Sequence, residues 1–357
     1  MCMNQAHRQS IFCILPPHIL REIAMRGNRQ QREHALDALA LDVTARSMRA
    51  TLQLMNPEAP RAVMLPVSVT PQRTIYNAAG AGDLPGSVVR NEGADATGDA
   101  SVDEAFDGLG ATFKFYWEIY QRNSIDNQGL PLDATVHYQD RYNNAFWNGR
   151  QMVFGDGDGT VFDRFTIDLD VIGHELTHGV TGSEVNLVYL GQAGAVNESV
   201  SDVFGSLIKQ YLGGQTADEA DWLIGAHLIK VEPAGQALRS MKAPGTAYSN
   251  SLMGEDPQPS HMRDYVNTTQ DNGGVHINSG IPNHAFYLLA TQLGGKAWER
   301  AGQIWYDTIR DSQLDRNASF ADFAARSAFN AGHRYGTDSD EQKAVIGAWQ
   351  AVGVDAS

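Results

Sequence analysis

The sequence predicts an α+β protein in which a β-rich half precedes a helical half, both behind a short helical leader. Three observations predict it. Residues 73–159 consist of short apolar runs broken by Gly, Pro and Asn-Gly, the punctuation of strands and turns. Beyond about residue 180 the apolar positions recur at helical spacing over long stretches. A tract carrying Pro57, Pro60, Pro66 and Pro71 separates the N-terminal residues from the rest. With 357 residues, 42% of them apolar, a sizeable core is available, and the length favours two domains. The expected division is a leader and linker over 1–60, a β-rich domain over 61–181 and a helical domain over 182–357.

In the leader, Pro16 and Pro17 open a helix that Gly27 closes, and Leu36, Leu39 and Val43 mark a second helix from about Arg29 to Arg49. Net charge is −15, unevenly spread. Residues 1–61 hold eight Arg against five acidic residues, so the remainder carries −18. An acidic body excludes nucleic acid as a partner, and the contrast predicts that the leader docks on it. No apolar run reaches the ~18–20 residues of a membrane span, and no signal peptide is evident. The expectation is a cytoplasmic chain, or one secreted without a conventional signal, with no membrane partner. Cys2 and Cys13 are the two cysteines, so disulfides do not hold the body together.

In the body, Arg73 to Arg90 reads as strands and turns, and about Ser101 to Arg122 as a helix carrying Phe113, Phe115, Trp117 and Tyr120. A strand follows at Ala134 to Gln139, then a hairpin whose arms flank Asn148-Gly149. Gly155-Asp-Gly-Asp-Gly159 fails as a calcium loop, because position 6 from Asp156 is Val161 and position 12 is Ile167; it reads as a β-turn. Helices are expected at Ala193–Leu212, Asp218–Ile229, Ile281–Leu293, Ala297–Asp311, Ala318–Ala331 and Asp340–Val352, with Asn317 or Ser319 capping the penultimate one.

The chemistry sits where the halves meet, in Asp170-Val-Ile-Gly-His-Glu-Leu-Thr-His-Gly179. On a helix His174 and His178 lie one turn apart on one face, so two imidazoles reach one ion. Glu175 beside them is placed to take a proton from water on that ion. A catalytic zinc wants a third ligand. Glu198, in Gly194-Ala-Val-Asn-Glu-Ser-Val-Ser-Asp202, can supply it from a second helix, and Asp202 can accept the free N–H of a ligand histidine. A solvated charged face is the other reading of that helix. In Asp271-Asn-Gly-Gly-Val-His-Ile-Asn-Ser-Gly280 the glycines allow an unusual backbone path, and Asp271 can hold His276 towards a developing oxyanion; a structural histidine is the alternative.

These clusters, in this order, resemble the thermolysin-like zinc metalloproteases. The resemblance runs from about Tyr76 to Val354 and includes the Asn143-Asn144-Ala145-Phe146-Trp147 stretch and the Gly-Asp-Gly-Asp-Gly turn. Nineteen residues separate His178 from Glu198, as in this family. The resemblance implies a two-domain thermolysin-like fold and a neutral endopeptidase whose zinc is held by His174, His178 and Glu198. Glu175 would activate water and pass its proton to the leaving amine, Tyr189 and His276 would stabilise the oxyanion, Asp271 would orient His276, and Asp202 would orient His174. A peptide or protein substrate would bind extended along Asn144-Ala145, with Arg239 on a peptide carbonyl. Val171, Ile224 and Leu238 match the lining of the pocket for the residue after the cut bond, which implies a bulky apolar residue there; each taken singly also fits plain core packing.

Two departures matter. At the positions of the family's calcium pair the chain keeps Asp170 and Asp221 but has Lys209, Leu223 and Ala226, so a lysine ammonium replaces the cation and the double Ca2+ site is expected to be lost. The leader resembles the short propeptide of the protealysin-like branch through Pro16, Pro17 and Leu20. That implies a precursor kept latent in cis by residues 1–60 and cut by itself or a relative before an apolar residue such as Leu52, Leu54 or Met64. Cys13, in Ile-Phe-Cys-Ile-Leu, reads as a buried structural cysteine, with a thiolate on zinc as the other reading. The rival functions are a catalytically silent zinc-bearing binding protein and an aminopeptidase; Glu175 and His276 speak against the first, the spacing against the second.

Overall fold

A computed structural model describes residues 12–41, 70–233 and 235–356. The expected sheet-then-helices arrangement is what it shows. A six-stranded mixed sheet is built from β1 (Phe12–Cys13), β2 (Arg73–Asn77), β3 (Ser87–Asn91), β4 (Leu132–Val136), β5 (Ala145–Trp147) and β6 (Gln151–Phe154), in the order β1-β5-β6-β4-β2-β3. β2 pairs with β4 and β4 with β6 in parallel; β5 and β6 form the expected hairpin across Asn148-Gly149. Between β3 and β4 runs α3 (Ala100–Tyr120), whose first amides, of Ser101 and Val102, donate to the Asp99 side chain.

The leader contributes α1 (Pro17–Arg26), α2 (residues 29–41) and the edge strand β1, which pairs antiparallel with β5. The charge contrast misstates how it docks. Among the described residues Arg26 and Arg29 pair with the leader's own Glu22 and Glu33, and Arg21 donates to the Gln270 amide oxygen. Exposed pairs of this kind are worth about 0–1 kcal/mol. Ile14, Leu15, Ile19, Leu20 and Ile23 are each at most 1% exposed, and burying one such side chain is worth about 1.5–3 kcal/mol, so apolar burial dominates. The expected run of the second leader helix from residue 42 to Arg49 and the cleavage positions Leu52, Leu54 and Met64 lie outside the described residues.

α4 (Leu169–Ser183) follows the sheet and packs along α5 (Gly191–Gly213). Two glycines let them approach. A Cβ on Gly205 would come 2.4 Å from the Asp170 carbonyl oxygen, and one on Gly173 would meet the Gly205 Cα at 3.2 Å. That contact turns the face carrying His174 and His178 towards the face carrying Glu198 and Asp202.

The C-terminal half ends in α6 (Asp271–Asn278), α7 (Gly280–Leu293), α8 (Ala301–Arg310), α9 (Phe320–Tyr335) and α10 (Asp340–Ala351). Ser319 caps α9 in a reciprocal box with Asp322. The helix expected at Asp218–Ile229 does not form. Trp222 and Gly225 have φ of 58° and 67°, left-handed values that no α-helix continues through, and the stretch instead carries β7 (Leu223–Ile224), paired with β8 (Arg239–Ser240). A second small hairpin joins β9 (Ser249–Asn250) to β10 (Gly254–Glu255). Among the described residues no helix is long and apolar enough to cross a membrane.

Candidate active site

α4 and α5 bring His174, His178 and Glu198 together as a fully buried group whose ligand atoms lie within 4.8 Å of one another. Each imidazole has its Nδ1 committed. His174 Nδ1 donates to Asp202 Oδ1 at 2.8 Å; His178 Nδ1 faces Asn197 Oδ1 at 2.8 Å and Ser201 Oγ at 3.0 Å. This leaves the two Nε2 atoms facing each other at 3.0 Å, each 3.5 Å from a Glu198 oxygen. Glu198 Oε2 accepts no hydrogen bond although buried. Two imidazole lone pairs and a carboxylate converging in a dry site repel one another unless a cation lies between them, so the donor set fits a divalent metal of the zinc kind.

Asp202 anchors the group from behind. It accepts a two-pronged bond from Arg239, Nε to Oδ2 and Nη2 to Oδ1, both 2.8 Å, and a further one from Asn283 Nδ2 at 2.8 Å. Burial pushes its carboxyl up, but Arg239 and the His174 ring outweigh this and hold it well below the usual carboxylate range. Glu175 is likewise buried, and its Oε2 accepts from the Trp147 amide at 2.9 Å, which fastens it to β5.

The third cluster arrives through a distorted turn. Asn272, Gly273 and Gly274 have φ of 51°, 84° and 75°, and a Cβ on Gly273 would lie 3.0 Å from the Gly191 backbone, so Gly-Gly lets α6 start against the head of α5. Asp271 then holds His276 twice, through the backbone amide at 2.9 Å and Nδ1 at 2.7 Å. His276 Nε2 lies 3.3 Å from the Tyr189 hydroxyl, which donates to Glu198 Oε1.

Asn144 and Ala145, along which an extended substrate is expected, are covered by the leader. Ile14 N donates to Ala145 O at 3.2 Å, Leu15 N to Asn144 Oδ1 at 3.0 Å, and Arg239 Nη1 to Ile14 O at 3.1 Å. The β7–β8 pairing sets Ile224 opposite Arg239 and next to Leu238. Val171, Ile224 and Leu238 are at most 1% exposed and share one apolar cluster with Ile14 and Leu15, burial that pocket lining and core packing both require. Asp170 and Asp221 converge on Lys209, whose Nζ lies 2.7 and 2.9 Å from them and 2.7 Å from Leu223 O. The Cys13 thiol is buried and is not among the metal-group atoms.

Sequence reasoning assigned no role to Asn197, Ser201 or Asn283. The first two stand inside the quoted motif, Asn197 directly before the ligand. Asn283 is a fully buried amide on α7 with the polar His284 beside it, and nothing in the sequence around it marks its role.

The thermolysin metallopeptidase catalytic-domain model matches residues 39–182, and its alpha-helical domain model matches residues 185–354. An extracellular metalloprotease of Pectobacterium carotovorum subsp. carotovorum is 51% identical over 346 residues, 97% of each chain. Protease PrtS of a Photorhabdus strain is 46% identical over 343 residues, covering 96% of this chain and 91% of that one. The solved precursor of protealysin, a metalloproteinase from Serratia proteamaculans, superposes with a TM-score of 0.87 at 52% identity, over 96% of this chain and 99% of that one.

Proposed function

Because the chain belongs to the thermolysin family of zinc metallopeptidases, we propose that it is a latent endopeptidase that cuts on the N-terminal side of bulky apolar residues. The observation carrying this reading is the buried His174, His178, Glu198 group with Glu175 fixed alongside it. Bound there, zinc would supply a Lewis acid that polarises a peptide carbonyl and makes water acidic. Glu175 takes the water proton and passes it to the leaving nitrogen. His276, held by Asp271, and Tyr189 donate to the oxyanion. Arg239 and Asn144 fix the peptide on the side after the cut, through the groups that now hold the leader. Asp202 fixes the His174 tautomer and aims Arg239 at the same time. The domains are those read from the sequence, with the leader ending near residue 60.

Incubation of leader-free enzyme with a blocked peptide tests this. Cleavage before a Leu, Ile or Phe, located by product mass and abolished by a zinc chelator, is the expected result. Release of single N-terminal residues from an unblocked peptide would favour an aminopeptidase, and zinc binding without any hydrolysis the silent protein. Two relatives are named extracellular, which favours export over the cytoplasm; activity confined to the cytosol of fractionated cells would reverse that.

Lys209 takes over the charge of the calcium pair. Burial opposes its ammonium, but Asp170 and Asp221 outweigh this and raise its pKa. A calcium-selective chelator should therefore leave the melting temperature unchanged. Lys209→Met strands Asp170, which is 0% exposed, and should cost about 3 kcal/mol, read as a lower urea midpoint.

The leader's hold should weaken in acid. His18 on α1 lies 3.0 Å from the Tyr248 hydroxyl, and burial, helped by His276, Arg239 and Arg21 and opposed by Asp271, lowers its pKa to about 4. A histidine held neutral when docked takes up a proton more readily when released. Docking is therefore unaffected above the free value of 6.5 and weakens as pH falls from there towards 4, by about 1–2 kcal/mol at pH 5. Wild type should lose leader stability between pH 7 and 5, followed by hydrogen exchange of α1 after correction for intrinsic rates, and His18→Gln should lose less; equal losses would remove His18 from the account.

A further inference from the structure

The leader lies in the cleft in one definite register. β1 sets Cys13 opposite Phe146; the Ile14 and Leu15 amides then bond to Ala145 and Asn144, and the Ile14 carbonyl receives Arg239. The carbonyl just before these, that of Cys13, lies 3.1 Å from His276 Nε2, and that nitrogen is 3.5 Å from Glu198 Oε2. The peptide bond presented beside the metal group is therefore Cys13–Ile14. The strand that pairs with it also holds Glu175, through the Trp147 amide. The residue after that bond, Ile14, is bulky, apolar and 0% exposed.

We propose that Cys13–Ile14 is a cleavage site of this same centre, so that the precursor trims its own leader in cis. The inference rests on the endopeptidase reading above. Water oxygen adds to the Cys13 carbonyl carbon; Glu175 takes a water proton and delivers it to the Ile14 nitrogen; the C–N bond breaks. The second water proton also passes to that nitrogen, so the products are a Cys13 carboxylate and an Ile14 ammonium, and one water is consumed with no oxidant or reductant. The leaving side stays in place, because Ile14, Leu15, Pro16, Pro17, Ile19 and Leu20 are all buried and Pro16, with φ −62°, leads straight into α1. The cut trims the leader without clearing the half of the cleft it occupies after the bond, and latency ends only with a later cut beyond residue 41.

The test is to purify the full chain free of metal, add zinc and follow intact mass and N-terminal sequence. A chain beginning at Ile14 should appear before any chain lacking the whole leader, with a first-order rate that dilution does not change. Ile14→Asp should abolish that species and Ile14→Leu should keep it. In the metal-free chain, without turnover, the Ile14 and Leu15 amides should be protected from hydrogen exchange; an Ile14 amide that exchanges freely would overturn the register. A leader that stays intact in zinc-loaded chain, while material freed of its leader by limited proteolysis cleaves a blocked peptide, overturns this inference alone. Hydrolysis of neither overturns the endopeptidase reading and this inference with it, and a first cut at another bond within residues 12–41 overturns the assignment of Cys13–Ile14.

Discussion

Glu175→Gln is expected to leave the chain folded and able to load zinc while kcat falls by about 10²–10⁴-fold, the usual contribution of a positioned general base. The substitution separates chemistry from structure unusually well. Glu175 is 0% exposed, and its Oε2 accepts from the Trp147 amide at 2.9 Å, a bond that a glutamine oxygen can accept in the same place. Replacing a buried carboxylate by an amide of equal shape also removes a charge from a dry site, so the fold should not suffer. The proton acceptor alone is lost. Because that acceptor acts in the transition state, kcat and kcat/KM should fall together while KM stays put. Metal content and melting temperature alongside kinetics on a blocked peptide check this. A variant with full turnover would assign the base to another group, and one that loses its metal would show that Glu175 shapes the site.

The parts of this centre that could be read in the sequence are those whose geometry is local. His174 and His178 sit on one helical face by arithmetic, the Asn148-Gly149 hairpin is written in two residues, and Ser319 stands where a helix cap is wanted. Long-range pairing is not local, and it was not legible. Nothing in Leu132–Val136 says that it runs parallel to both β2 and β6, and nothing in Phe12–Cys13 marks a strand, since its partner Phe146–Trp147 is more than a hundred residues away. Asp218–Ile229 shows the converse failure. Its apolar spacing suits a helix, but the Lys209 ammonium draws in both the Asp221 carboxylate and the Leu223 carbonyl, and a carbonyl turned towards a lysine is not available to a helical ladder. Among the described residues the leader docks chiefly through apolar contact: five buried aliphatic side chains outweigh the pairs made by Arg21, Arg26 and Arg29.

Asp202→Asn should be the most damaging single change to the framework, costing about 3–5 kcal/mol of stability and 10–100-fold in zinc affinity. The residue is 0% exposed and meets donors on every side: His174 Nδ1, two nitrogens of Arg239 and the Asn283 amide. An aspartate has two oxygens for these. An asparagine offers one oxygen and turns an NH2 group towards groups that also donate, so at least one pairing becomes a repulsion. Arg239, 1% exposed and raised in pKa by the same pairing against the effect of burial, is left as a buried cation without its counter-charge. The loss should therefore depend on Arg239 being present. Asp202→Leu alone should be strongly destabilising, whereas Asp202→Leu combined with Arg239→Met should recover much of the urea midpoint, because removing both charges of a buried pair costs less than removing one. Zinc affinity, measured by competition with a chelator, should not recover in the double variant, since His174 still lacks its acceptor. Asn283→Ala, which removes one neutral donor, should cost only about 1 kcal/mol. If the two charge substitutions instead add, the pair is not coupled, and Arg239 is held in the cleft by something other than Asp202.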